Sequence, residues 1–359
     1  MNTPRATSYG HSPCRGKWEG APRSGMIVLL RAICLLLSAM GTPQAYASQA
    51  YRMIDLGVLP GDVYSAALGI NSSGQVVGFS SGPQYTPYTH AFIWDAVNGM
   101  RDLGVLPGAY ASIASDINDL GQVVGSSDDI GAFIWDSAGG MRKIDGMYEA
   151  EAINSLGQVV GSSQPAGVAG YARLWNPGSG VVDLYRASHA YGINNLGQVV
   201  GYGWDGAFIW DAAGGVRSLG TGHASSAQDI NDLGQVVGSL KAAAFVWDAD
   251  SGATVIPGLM TRACGINNAG QVVGYYFAPY YRDPGPEQGA YVWSESTGLI
   301  QLWPFSFAYD INDAGQIVGW SGGHAVMWEL IPEPTSLAAL GLGISGLGLA
   351  AFRRRRRRT

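Results

Sequence analysis

A single nine-residue pattern returns seven times and dictates the architecture. It reads Ile-Asn-x-x-Gly-Gln-(Val/Ile)-Val-Gly, with its asparagines at Asn71, Asn118, Asn154, Asn194, Asn231, Asn267 and Asn312. A second mark follows each copy, an apolar stretch ending in tryptophan: HAFIWD, GAFIWD, YARLWN, GAFIWD, AAFVWD, GAYVWS and HAVMWE. Its tryptophans are Trp94, Trp135, Trp175, Trp210, Trp247, Trp293 and Trp328. A third mark is a short segment such as GMRDLG at Gly99 to Gly104.

Each mark has a local cause. Asn-x-x-Gly between β-rich runs is a hairpin turn, because asparagine bonds its own backbone and glycine takes the positive φ. Ala-Phe-Ile-Trp has no polar alternation and reads as a strand buried on both faces. Polar Asp-Ser-Ala-Gly-Gly turns follow. The unit therefore has four strands: one ending at Ile-Asn, then Gln-Val-Val-Gly, Phe-Ile-Trp-Asp and Met-Arg-Asp-Leu.

Between Tyr51 and Leu330 there are 280 residues, or 40 for each of seven units. That is the size of a four-stranded propeller blade. The phase of the repeat points the same way. The seventh unit stops at Trp328-Glu329-Leu330 and lacks its fourth strand, whereas Tyr51-Arg-Met-Ile-Asp-Leu-Gly is an orphan fourth strand at the other end. The expected fold is all-β, a seven-bladed β-propeller closed by the N-terminal strand. An open β-helix or solenoid is the alternative, and capping repeats would suit it better than this offset.

The unit resembles the HAF family of extracellular repeats, through His90-Ala-Phe92 and the Leu-Gly-x-Leu-Pro-Gly segments at Leu56 to Gly61 and Leu103 to Gly108. Histidine stands in that position only at His90 and His324; other units carry glycine, tyrosine or alanine. The resemblance spans the body and implies an extracellular β protein with no defined reaction.

Both ends read as targeting segments. Residues 1–47 form a leader in which Ala32 to Met40 is the apolar core, and Ala45-Tyr46-Ala47 is a small-x-small cleavage site. Translation starting at Met26 gives a signal peptide of ordinary length. The expected partners are the Sec translocon and signal peptidase, and the mature body is 48–330. Residues 331–359 read IPEPTSLAALGLGISGLGLAAFRRRRRRT. Pro332, Glu333 and Pro334 hold an extended break before an apolar run, 337–352, expected as a transmembrane helix. Sixteen helical residues rise ~24 Å, short for a bilayer core of about 30 Å. The arginines Arg353, Arg354 and their four successors stay cytoplasmic, leaving the body outside. This tail resembles the PEP-CTERM sorting signal of Gram-negative bacteria. The resemblance implies an exosortase-type transpeptidase as partner, transient anchoring in the inner membrane, and delivery to the cell surface or extracellular matrix, often beside exopolysaccharide. A plain membrane anchor is the other reading.

The formal charge of −6 for the chain hides an acidic body. Residues 48–330 hold 10 Lys+Arg against 25 Asp+Glu, a formal −15. This argues against nucleic acid and anionic lipid as partners. The body keeps one cysteine, Cys264, which allows no disulfide framework within it and reads as a small buried hydrophobe.

Catalytic signals are absent from the sequence. His90, His189, His223 and His324 lie in no zinc spacing and beside no nucleophile motif. The triplets Asp116-Ile-Asn, Asp229-Ile-Asn and Asp310-Ile-Asn lack the ligand alternation of a calcium loop. They faintly suggest calcium but read better as turn chemistry, so no cofactor or metal is expected and calcium is the less favoured alternative. The tryptophans fit packing between blades better than a ring of sugar platforms. Binding is expected where units differ. The first and sixth units carry insertions between their second and third strands, which offer Tyr85, Tyr88, Tyr276, Tyr280, Tyr281 and Arg282 to a glycan or protein. The expected function is a non-catalytic, exported surface or matrix propeller that binds or organises exopolysaccharide or a neighbouring surface protein. A polysaccharide hydrolase or lyase is the alternative. It requires acidic or histidine side chains converging on one mouth of the ring, and none is apparent at unit-specific positions.

Overall fold

The computed structural model describes residues 51–83, 88–164, 170–258, 261–277 and 288–331. The first strand, β1 (Tyr51–Gly57), is followed by a complete antiparallel sheet of β2 (Tyr64–Ile70), β3 (Val76–Ser81), β4 (Thr89–Asp95) and β5 (Gly99–Gly104). Six further four-stranded sheets make up the described structure. The chain is therefore an all-β, seven-bladed propeller with antiparallel blades.

The last blade closes as the repeat phase requires. Its three C-terminal strands are Ser306–Ile311, Ile317–Ser321 and His324–Leu330, and β1 supplies the fourth. Tyr51 pairs with Leu330 and Met53 with Trp328. Arg52 binds Glu329 at 2.7 Å. His324 Nδ1 lies 2.9 Å from Asp55, matching the pair His90–Asp102 at 2.8 Å within the first blade. The donated strand thus repeats the side-chain chemistry of an ordinary fourth strand.

The asparagine turns form as expected. In the first blade, Asn71 N donates to Gln75 O and Gly74 N to Asn71 O, with Gly74 at φ +78°. The second glycine of the pattern has a different cause. Every innermost strand carries a β-bulge just before its Ile-Asn, as between Ala67 and Gly69. The bulge drives a carbonyl against the next strand: a Cβ on Gly78 would lie 2.0 Å from Ala66 O, and one on Gly161 1.9 Å from Glu149 O. Only glycine fits there.

Core lies between blades. One cluster joins Val77, Ala91 and Ile93 of the first blade to Ala114, Ile117, Val123 and Phe133 of the second. Phe92, Phe133, Phe208, Phe245 and Tyr291 are fully buried at one repeat position, each worth roughly 1.5–3 kcal/mol. The tryptophans pack in these inter-blade clusters, with Trp328 completely buried beneath β1.

The path of the strands sorts the loops onto two faces. The asparagine turns and both ends of the ring, Tyr51 and Leu330, lie on one face. Connections between second and third strands, and between blades, lie on the other. Ala45, Ala47, Pro332, Glu333, Pro334, Arg353, Arg354 and the expected helix 337–352 are outside the described residues. Among the described residues no helix is long and apolar enough to cross a membrane.

Candidate functional site: the central channel

The channel wall has two parts of different character. At the turn face it is repetitive. Each pattern asparagine donates from Nδ2 to the backbone oxygen of the next blade's asparagine. Asn71 reaches Asn118, then the bonds pass through Asn154, Asn194, Asn231, Asn267 and Asn312 back to Asn71, all at 3.0–3.1 Å. Seven bonds make an unbroken girdle. The same Nδ2 also donates to the glutamine four residues on, as Asn194 does to Gln198 Oε1 at 2.8 Å. Asn194 Oδ1 accepts from Gln198 N at 2.9 Å and Leu196 N at 3.1 Å. A buried amide thus uses both donors and both acceptor sites, so no turn asparagine is exchangeable for aspartate or alanine without loss.

A second tier bridges the same interfaces. Asp116, Asp229 and Asp310 each accept the Ile N–H of the next blade at 2.9 Å, at Ile153, Ile266 and Ile70. Glycines face them: a Cβ on Gly69 would sit 3.0 Å from Asp116 Cα, and one on Gly265 3.1 Å from Asp310 Cα. Asp119, Asp232 and Asp313 accept backbone N–H groups of the preceding blade at 2.8–2.9 Å. The triplets that faintly suggest calcium are occupied by turn chemistry extended across blades. They surround an axial cavity of about 200 Å³.

Beyond the turns, toward the other face, the innermost strands differ from blade to blade. The bulged residue of each innermost strand is Leu68, Ser115, Glu151, Tyr191, Gln228, Cys264 or Tyr309, all buried. Two residues earlier stand Ala66, Ile113, Glu149, His189, Ser226, Arg262 and Phe307. On one arc they are apolar. Leu68, Cys264, Tyr275, Tyr309 and Phe307 form one cluster with Trp320, and the rings of Tyr275 and Phe307 meet edge to face at 4.9 Å. Cys264 is buried there, as its small apolar character suggests. The other cysteines, Cys14 and Cys34, lie outside the described residues.

On the opposite arc the residues are polar. Glu149 and Glu151 of strand Glu149–Ile153 act electrostatically on Tyr191 of strand Ala187–Ile193, which also carries His189. His189 stacks on Tyr202, with centroids 5.1 Å apart and planes within 7°, and lies 6.1 Å from Tyr191. Glu149 Oε2 accepts from Ser162 Oγ at 3.3 Å. Burial lowers the His189 pKa, so the imidazole is neutral near pH 7. Burial, then the Glu151 carboxylate, raises Tyr191, and burial, then Glu149, raises Tyr202.

The two acidic residues and His189 are buried inside the ring and do not open onto either of its mouths. Glu149 and His189 lie 40 residues apart at one repeat position, one on each of two adjacent blades. Comparing the seven units residue by residue, instead of seeking motifs, exposes the signal. Of the expected loop residues, Tyr88 is exposed before β4 and Tyr276 lies within strand Val272–Phe277. Tyr85, Tyr280, Tyr281 and Arg282 are outside the described residues. The structure adds aromatic residues that sequence reasoning missed. Tyr110, Tyr171, Tyr185, Trp204 and Phe305 are all exposed on loops of the same face as Tyr88, away from the asparagine turns.

The fold and its axial site define a seven-bladed propeller whose frame is repeated and whose channel is individual to each blade. No protein-family model and no curated protein matches the chain. Solved structures do. A streptogramin B lyase is similar at 11% identity with a TM-score of 0.53, over 79% of this chain and 99% of that one. Virginiamycin B lyase from Staphylococcus aureus is similar at 10% identity with a TM-score of 0.52, over 78% and 100%. At such identities the likeness speaks for the fold alone.

Proposed function

We propose that this protein is an exported, non-catalytic surface or matrix propeller that binds polysaccharide on its loop face. One observation carries the reading: the exposed aromatic side chains Tyr88, Tyr110, Tyr171, Tyr185, Trp204 and Phe305 gather on the face opposite the chain ends. Flat, partly apolar rings on rigid supports suit the faces of sugar rings. The geometry of the ends supports the rest. A tail leaving beside Leu330 puts any tether on the asparagine-turn face and turns the aromatic face away from the membrane. The leader with Ala45 and Ala47, and the Pro332-Glu333-Pro334 signal with its arginines, fit Sec export and release by an exosortase. The family likeness to HAF repeats fits the same destination.

Binding of surface polysaccharide to the purified protein tests the reading. Combined Tyr110→Ala and Trp204→Ala should weaken binding at least tenfold without moving the melting midpoint by more than a degree or two. Equal binding by variant and parent would remove the aromatic face from consideration. Intact mass of surface-released protein should place the termini near Ser48 and Pro334; stable full-length protein in the inner membrane would oppose the sorting reading. The enzyme alternative draws on Glu149, Glu151 and His189. Neither ring nitrogen of His189 has a hydrogen-bond partner, so no nucleophile–base pair is formed around it. Release of new reducing or unsaturated ends from polysaccharide would establish that alternative.

A further inference from the structure

Three exposed aromatic side chains of the loop face stand where the third and fourth blades meet. Tyr171 immediately precedes the third strand of the third blade, Ala172–Asn176, and Tyr185 follows the fourth, Gly180–Leu184. Ala172 pairs with Leu184, so the two tyrosines stand side by side, and their rings meet edge to face at 5.9 Å. Trp204 and Asp205 form the hairpin tip of the fourth blade, between the paired Gly203 and Gly206. The repeated frame does not require tryptophan there. The same tip is Lys241-Ala242 in the fifth blade and Gly322-Gly323 in the seventh. An indole left 68% exposed gains little from folding.

The backbone beneath these rings is held from several sides. Trp204 N donates to Arg186 O at 3.2 Å, and His223 Nδ1 donates to Trp204 O at 3.0 Å. Arg186 has a φ of +73°, a conformation that a residue with a Cβ rarely adopts. Its guanidinium donates to Asp205 at 2.8 Å. One backbone bond and one side-chain bond thus clamp the Tyr185-Arg186 link to the Trp204-Asp205 tip. Platforms fixed in advance lose little freedom when a ligand settles on them. The charges beside them cancel. Arg186 is paired with Asp205, and Arg173 with Asp183 at 2.6 Å. Neither pair offers a free cation to a uronate or sulfate chain, and the acidic body repels one. A sugar hydroxyl can still accept from the exposed guanidinium and donate to the exposed carboxylate.

We propose that this junction binds an uncharged polysaccharide, with pyranose rings lying on Tyr185 and Trp204, Tyr171 bracing Tyr185, and Arg186 and Asp205 holding hydroxyl groups. A pyranose with equatorial hydroxyls bares a C–H face that lies flat on an aromatic ring. The inference rests on the polysaccharide reading of the loop face and narrows it to one junction and one charge class.

Calorimetric titration of the purified protein with cellohexaose, mannohexaose and hexagalacturonate tests the assignment. At least one neutral hexamer should bind, and the charged hexamer should bind at least tenfold more weakly. Paired Tyr185→Ala and Trp204→Ala should lower the neutral affinity at least tenfold, whereas Tyr110→Ala alone should change it less than twofold. Arg186→Gly suits the backbone, so its melting midpoint should hold or rise while the affinity falls severalfold. Equal affinity for the charged hexamer, no heat from either neutral hexamer at millimolar concentration, or unchanged affinity in the paired variant overturns the proposal. Surface polysaccharide that still binds, and responds to Tyr110→Ala, would then leave the loop-face reading standing without this junction; no binding of any of these sugars would remove both. The charged and neutral hexamers act on the unaltered protein, so that comparison stands even if a variant folds poorly.

Discussion

Replacing Asn194 by alanine should test whether the girdle holds the ring together. The substitution removes the bond to Asn231 O at 3.0 Å and that to Gln198 Oε1 at 2.8 Å. It also removes the acceptor for Gln198 N at 2.9 Å; Leu196 N, the second donor to that oxygen at 3.1 Å, belongs to an exposed residue and can turn to water. Asn231 O keeps the bond from Gly234 N, so its loss is partial. Two lost bonds at about 1 kcal/mol each and one abandoned N–H at about 1–3 kcal/mol give roughly 3 kcal/mol. Unfolding entropy near 60 °C is about 2.1 cal/mol/K per residue. For a body of 280 residues, that loss should lower the melting midpoint by about 5 °C. Differential scanning calorimetry measures it. Asn195→Ala is the control. Its exposed side chain bonds Ser155 N and Asp232, and it should cost under about 1 kcal/mol. Asn194→Asp separates girdle from turn. It keeps the acceptor of the turn but sets an oxygen against Asn231 O, so near pH 7 it should be at least as damaging as alanine. Its deficit should shrink as the pH falls through the raised pKa of the introduced carboxyl, which can donate once protonated. Equal midpoints for Asn194→Ala and Asn195→Ala would refute the reasoning, because the inter-blade bond would then contribute nothing.

Three other outcomes follow from the same geometry. Gly161→Ala puts a Cβ 1.9 Å from Glu149 O and should destabilise by about 3 kcal/mol or more in urea unfolding; a neutral result would mean that the bulge relaxes freely. Glu329 is held below its ordinary pKa, first by the hydrogen bond from Arg52 and then by Gln316. Its contribution to closure is therefore present above its ordinary value of about 4.3 and fades as the pH falls through the lower folded value. Arg52→Ala should cost under about 1 kcal/mol at pH 7, since Arg52 is largely exposed, and the two proteins should converge near pH 2–3; a gap that widens in acid would contradict the pairing. Removing Tyr51–Gly57 leaves the last sheet three-stranded with Trp328 uncovered. Light scattering should then show self-association through the open edge, and a monodisperse monomer of unchanged stability would argue against the closing strand.

By itself, the sequence determined the strand count, the turns and the closure of the ring. These are local matters. Asn-x-x-Gly makes its turn wherever β runs flank it, and a missing strand at one end with a spare at the other admits one economical solution. The tertiary structure alone decided what the repeated residues do beyond their own turns. Asn194 looks like a turn residue in sequence, yet its amide also ties one blade to the next. Gly78 looks like part of a strand, yet it makes room for a bulge in the strand beside it, ten residues earlier in the chain. Glu149 and Tyr191 carry no motif, because the field of one on the other depends on the curvature of the ring, which places the inner strands of successive blades side by side. Periodicity records what each unit must share. Only the folded circle shows which differences between units come to face one another.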